Sequence, residues 1–163
     1  MSCLVTLNGI AQDCLPNIGG VKRIWLGSFN QLNGAVEDTN DGGVNVVDVS
    51  PTEYKLPRGT ASMTSTATID ETTGTRFFTN VVTAVFNRMA RDKNEELRQI
   101  IGGELFLVAE DENNNKWLLS QSHPVKVTAV ETTTGTAFSD ANRYTLTFQV
   151  VTPEMPTFVN DIN

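Results

Sequence analysis

The run Thr75 to Phe86, TRFFTNVVTAVF, constrains the fold more than any other stretch of the chain. It is rich in β-branched and aromatic residues and reads as a strand. One of its faces carries Phe78, Asn80, Val82, Ala84 and Phe86; the other carries Phe77, Thr79, Val81, Thr83 and Val85. Both faces are substantially apolar. A strand buried on one side only alternates cleanly, so this one is expected either between two layers or with one face against a neighbouring subunit. Ala61 to Ile69, a Thr/Ser-rich alternating run, precedes it across the turn Asp70-Glu71-Thr72-Thr73-Gly74, and the two predict a long β-hairpin.

The rest of the chain supplies more strands and one helix. Val21 to Phe29 reads as the first strand. Residues 30–60 read as a long loop, because Asn30, Asn33-Gly34, Asn40, Asp41 and Gly42-Gly43 tolerate positive φ. Short strands are expected inside it at Val44 to Val49 and Glu53 to Leu56. Asp92 to Ile101 predicts a helix, with Asp92 as N-cap, Glu95 completing a capping box, a Leu97/Ile100/Ile101 stripe and Gly102-Gly103 as a left-handed stop. Glu104 to Glu110 and Lys116 to Ser120 flank the hairpin signal Asp111-Glu112-Asn113-Asn114-Asn115. Pro124 to Glu131 and Arg143 to Val151 follow, joined by a flexible connection. In the latter, Tyr144, Leu146, Phe148 and Val150 face one side and Thr145, Thr147 and Gln149 the other. Residues 1–20 and 153–163 read as arms, the second because Pro153 and Pro156 argue against a central strand. The expectation is a single mainly β domain over residues 1–163, an antiparallel sandwich or barrel with one short α-helix, a long loop and terminal arms.

Composition narrows the chemistry. The 163 residues carry 12 Lys+Arg against 19 Asp+Glu, a net charge of −7, which argues against sequence-independent binding of nucleic acid. No apolar run is long enough for a membrane-spanning helix, and no charged segment leads into an apolar core as a secretory signal would. With one His and two Cys, a zinc site built from N and S ligands alone is not available. Cys3 and Cys14 are expected as reduced thiols. His123 sits in a polar loop beside Ser120, Gln121 and Ser122, and no G-x-S-x-G elbow or phosphate-binding glycine loop is present. Asp38-Thr39-Asn40-Asp41-Gly42-Gly43 departs from a calcium loop at its fifth and twelfth positions, Gly42 and Val49. Glu110, Asp111 and Glu112 read as a solvated hairpin tip. Arg88, Arg91, Lys93 and Arg98 are interleaved with acids and read as a mixed-charge surface, and Trp25 and Trp117 as core or interface anchors. No catalytic residue, metal or cofactor is expected.

The layout resembles a known family. A β-rich chain of this size has a Gly/Asn loop in its first half and a two-faced hairpin at Ala61 to Phe86. A short helix then leads into IGGELFLVAEDENNNKWLL and a closing YTLTFQVVTPEMPTFV. In this it is similar to tail tube (major tail) proteins of tailed bacteriophages. It is especially similar to small structural proteins of phages infecting Bacteroidetes, which open with a short Cys-containing arm and a stretch like Gly19-Gly20-Val21-Lys22. The resemblance implies protomers that form hexameric rings, stacked into a tube through which DNA passes as non-specific cargo. Ring stacking would fall to Asn33, Gly34, Asp38, Asp41, Gly42 and Gly43, the inner hairpin surface to Thr64, Thr66, Thr79, Val81 and Thr83, and arm contacts to Met155 and Phe158. The expected partners are copies of itself and other tail or head structural proteins, with no membrane, in a virion made in the host bacterial cytoplasm. The acidic balance would suit a lumen that does not bind its cargo. Two alternatives stand beside this one: a capsid decoration or head-tail completion protein, and a small β-sandwich enzyme or ligand-binding domain using Trp25 and Trp117.

Overall fold

In the computed structural model, which describes residues 6–11, 14–47 and 49–162, eleven strands and one α-helix build two sheets. The first has seven strands. Its chain-order members are β1 (Val21–Ser28), β2 (Val36–Asp38), β3 (Val44–Val46), β4 (Thr52–Lys55), β7 (Leu105–Asp111), β8 (Lys116–Leu118) and β11 (Thr157–Ile162). They lie in the order β2-β3-β11-β8-β7-β1-β4. The second sheet has four: β5 (Ser62–Asp70), β6 (Thr75–Asn87), β9 (Lys126–Thr133) and β10 (Arg143–Thr152), in the order β5-β6-β10-β9. All pairings are antiparallel except β11 with β3. The sheets do not close on themselves, so the fold is a sandwich and not a barrel.

The main core lies between the sheets. Ile24, Leu26, Leu107, Ala109 and Leu119 from the first layer meet Val82, Ala84, Leu146, Phe148 and Val150 from the second. The alternation expected for the last long strand holds: Tyr144, Leu146, Phe148 and Val150 are buried while Thr145, Thr147 and Gln149 are only half-buried. Helix α1 (Arg91–Ile101) closes the same core with Leu97 and Ile100. At about three turns it is too short to persist without that packing. Ala90 is its N-cap and makes no side-chain cap bond, so Asp92 sits in the first turn and not at the cap. Gly102 ends it in right-handed backbone, not in the left-handed cap conformation.

Two expectations about segments give way. Residues 30–60 are not a long loop. They contain most of a 3-10 turn (Phe29–Leu32), β2, β3 and β4; the part up to Val49 folds over the outer face of β7 and β8, whereas β4 pairs with β1. A second core forms there from Leu32, Ala35, Val44, Val46, Val49, Phe106, Val108, Leu118 and Val159. Nor is 153–163 an arm. Pro153 and Pro156 precede β11 without entering it, which leaves the strand's amides free to pair with β3 and β8, and Val159 is buried between them.

The doubly buried strand is accordingly β7. Phe106 and Val108 face the second core, Leu107 and Ala109 the first, and Leu105–Ala109 is a short continuous apolar run of the kind such a strand needs. Gly27, paired with Phe106, leaves the space its ring occupies: a Cβ there would fall 2.4 Å from the ring.

Candidate assembly surface

The sheet register gathers the inner hairpin residues on one face. Thr64 pairs with Val81 and Thr66 with Thr79, while Thr83 lies between Ser62 and Thr147. Side chains of directly paired residues share a face, so Thr64, Thr66, Thr79, Val81 and Thr83 join Thr145, Thr147, Gln149 and Val151 on the side of the four-stranded sheet away from the main core. None of these residues belongs to either core. The strands behave differently along this surface. Thr79, Val81 and Thr83 on β6 are half-buried, whereas β5 is exposed on both faces from Thr64 to Asp70, so the hairpin tip stands clear of the sandwich.

The face is neutral and rich in hydroxyls. Its charged residues stand at the margins: Asp70 at the hairpin end, Lys126 and Glu131 on β9, and Arg143 at the start of β10. The acidic excess is therefore not concentrated on it. Among the described residues no further strand pairs with the outer strands of this sheet, β5 and β9, and exposed apolar side chains (Ile69, Val130, Val151) are spread over its two sides. Strand β5 has no Lys, Arg or Pro, the residues that commonly blunt an open edge.

The expected stacking residues lie at turns of the folded segment 30–60. Asn33 and Gly34 follow the 3-10 turn, and Gly34 takes φ +76°. Asp38 ends β2, and Asp41, Gly42 and Gly43 form the β2–β3 turn. That turn is tied down. Thr39 donates its hydroxyl to Asp41, Gly43 N donates to Asp41 Oδ1 at 3.2 Å, and Asn160 Nδ2 on β11 reaches both carboxylate oxygens at 3.1 Å. The Thr39 and Asn160 bonds hold the Asp41 carboxyl below the usual carboxylate range. Its lone pairs are directed to donors from its own fold. Among the described residues no group of three or more His, Cys, Asp or Glu is arranged to hold a metal ion.

Met155 is exposed in the turn before β11, and Phe158 stacks edge-on against Trp117 at 5.7 Å between ring centres. Trp117 also donates Nε1 to Asp111 Oδ2 at 3.3 Å, and Trp25 lies under Arg23 and Lys116, so both tryptophans pack within the seven-stranded sheet. The described part of the N-terminal segment, 6–11 and 14–20, has no regular element and exposes Leu7, Ile10 and Leu15. Cys14 is exposed, and Cys3 lies outside the described residues. His123 Nδ1 bonds Ser122 Oγ at 2.8 Å, a contact between chain neighbours.

Two features escaped sequence reasoning. The 134–142 connection contains a hydrogen-bonded turn: Asp140 Oδ2 accepts from Thr136 N and Ala137 N at 2.9 and 2.8 Å, and the turn lifts Phe138 fully into solvent. The acidic hairpin tip is not solvated either. Glu110 is buried between Lys22 and Arg23, at 2.9 and 3.0 Å, and Glu112 is nearly covered. The signal for Glu110 was its place in the period of β7. No helix among the described residues is long and apolar enough to cross a membrane. No family model, curated protein or solved structure matches this chain.

Proposed function

We propose that the chain is a non-catalytic structural protein of a phage virion that assembles with copies of itself into stacked rings of a tail tube. The observation that carries the reading is the four-stranded sheet: one face outside both cores, two outer edges that pair with no further described strand, and an exposed apolar side chain, Val151, on that face. An open edge as long as β5 invites another strand, and a sheet with two such edges on opposite sides suits a head-to-tail contact that closes into a ring. In such a ring β5 of one copy lies beside β9 of the next, and the hydroxyl-rich face lines the lumen. A neutral Thr/Val/Gln lining offers DNA no row of cations, so the cargo passes without adhering. Its neutrality, and not the net charge of −7, is then what keeps the channel non-adhesive.

The test is size and shape. At high concentration the protein should have a solution mass well above 17.8 kDa and give rings or tubes by negative-stain microscopy. The double variant Thr64→Lys/Thr66→Lys charges the β5 edge at two exposed positions and should abolish the assemblies while leaving circular dichroism unchanged. A wild-type protein that stays monomeric, alone and with other tail components, defeats the proposal.

A further inference from the structure

We propose that Lys22 and Asn114 become joined by an intramolecular isopeptide bond, with Glu110 carrying the protons. This rests on side-chain geometry alone and is independent of the assembly reading. Three elements converge on the site. Strand β1 is bulged against β7 at Lys22: Val21 pairs with Asp111 and Arg23 with Glu110, leaving Lys22 as the extra residue. Adjacent strand residues normally point to opposite faces, but a bulge re-aims one of them. Lys22 and Arg23 therefore both reach Glu110, through Oε1 at 2.9 Å and Oε2 at 3.0 Å. The Glu110 side chain is only 8% exposed.

The third partner comes from the β7–β8 turn. Asp111 Oδ1 accepts from Asn113 N and Asn115 N, both at 2.9 Å, and Asp111 N donates to Asn115 O. That knot forces Asn114 to φ +66°, a conformation Asn tolerates, and aims its carboxamide at Lys22, whose ammonium donates to Asn114 Oδ1. Lys22 Nζ thus lies between a nearly buried carboxylate and a carboxamide 92 positions away in sequence. The fold holds the Lys22 ammonium, the Glu110 carboxylate and the Asn114 carboxamide together before reaction, which lowers the entropic cost of an otherwise slow condensation.

The chemistry balances without an oxidant or co-reactant. Glu110 takes a proton from the Lys22 ammonium, and the freed amine attacks Asn114 Cγ. The tetrahedral adduct passes a proton through Glu110 to the leaving nitrogen, and the Cγ–Nδ2 bond breaks. A lysine ammonium and an asparagine carboxamide become a secondary amide and an ammonium ion, and Glu110 ends as the carboxylate it began as. Arg23 is a positioning residue that keeps Glu110 against Lys22. The product staples β1 to the β7–β8 turn and closes a long loop in the unfolded chain, which raises resistance to unfolding.

The experiment is intact-mass spectrometry of the purified, reduced full chain, followed by tandem sequencing of its proteolytic peptides. The expected mass is about 17 Da below that of the sequence, the loss of one ammonia, with the peptides containing Lys22 and Asn114 recovered as one linked species. Lys22→Met and Glu110→Gln should each restore the full mass. Asn114→Gly should do so too, and it keeps the fold testable if the Glu110 variant does not fold, because glycine adopts the backbone of that turn freely. A wild-type protein at full sequence mass overturns the proposal. So does a mass loss that persists in Lys22→Met, which would mark a succinimide in the Asn-rich turn.

Discussion

Asn80 offers the sharpest test of how the two layers are held together. It lies on β6 with no exposed surface, in a row otherwise made of Val82, Ala84 and Phe86. Its Nδ2 crosses the sandwich to donate to Leu119 O at 2.8 Å, and its Oδ1 accepts from Ser65 Oγ at 2.6 Å. Both polar ends are therefore satisfied. Asn80→Ala removes the inter-sheet bond and takes the amide donor away from a carbonyl beside the core. Stranding a buried acceptor costs about 1–3 kcal/mol, and the lost contact with Ser65 adds about 0.5–1.5 kcal/mol. The total is about 1.5–4.5 kcal/mol, which for a domain of this size lowers Tm by roughly 3–18 °C. Ser65→Ala cuts only the bond at the exposed end and should cost about 1 kcal/mol or less. Asn80→Asp is the informative third variant. It swaps the donor facing Leu119 O for a carboxylate oxygen, and burial and the facing carbonyl both raise the carboxyl pKa. A raised acid binds its proton more tightly when folded, so the variant's stability should be lowest at neutral pH and recover as pH falls toward the unfolded carboxylate value near 4. Urea denaturation followed by circular dichroism at pH 7 and pH 4 reads all three. An Asn80→Ala variant within about 0.5 kcal/mol of wild type would refute the inter-sheet role, since that is the ordinary range for surface substitutions.

Gly27→Ala should destabilise by about 1–3 kcal/mol in chemical denaturation, because its Cβ would meet the fully buried Phe106 ring at 2.4 Å, and Phe106→Leu in the same chain should recover part of the loss. The Asp41 carboxyl, held low by Thr39 and Asn160, should keep the β2–β3 turn docked on β11 above its ordinary value of 3.8 and release it as pH falls below that; the carboxyl and the Asn160 side-chain amide, followed by NMR titration, should move together. Phe138→Ser should leave Tm unchanged, as the ring is wholly exposed, whereas Asp140→Ala should release the Thr136 and Ala137 amides and speed their hydrogen exchange.

Much of the sandwich was legible because period-two alternation is local. The β5–β6 hairpin, the one-sided pattern of β10, the helix and its Leu97/Ile100 stripe, and the two short strands inside 30–60 follow from neighbouring residues and turn chemistry. The five hairpin residues Thr64, Thr66, Thr79, Val81 and Thr83 share a face for the same reason: once the turn sets the register, the pleat decides the side. What covers a second apolar face is not local. The TRFFTNVVTAVF run reads as a strand either between two layers or with one face against a neighbouring subunit; within this chain the strand covered on both faces is β7, because part of the 30–60 segment folds back over Phe106 and Val108 and not over Val81 and Thr83.

The tertiary structure alone decided the rest, and the reason is sequence separation. Strand β11 was hidden by two prolines that the local rule treats as strand breakers; its place came from β3 and β8, far away in the chain. Glu110 looked like one acid in a solvated tip until β1 brought Lys22 and Arg23 against it. Asp41 looked like part of a loose turn until Asn160 reached it from β11. Composition and periodicity specify which residues prefer strand, helix or turn. Only the closed sandwich brings together side chains as distant as Lys22 and Asn114, because the propensities that shape each element carry no information about which elements will lie side by side.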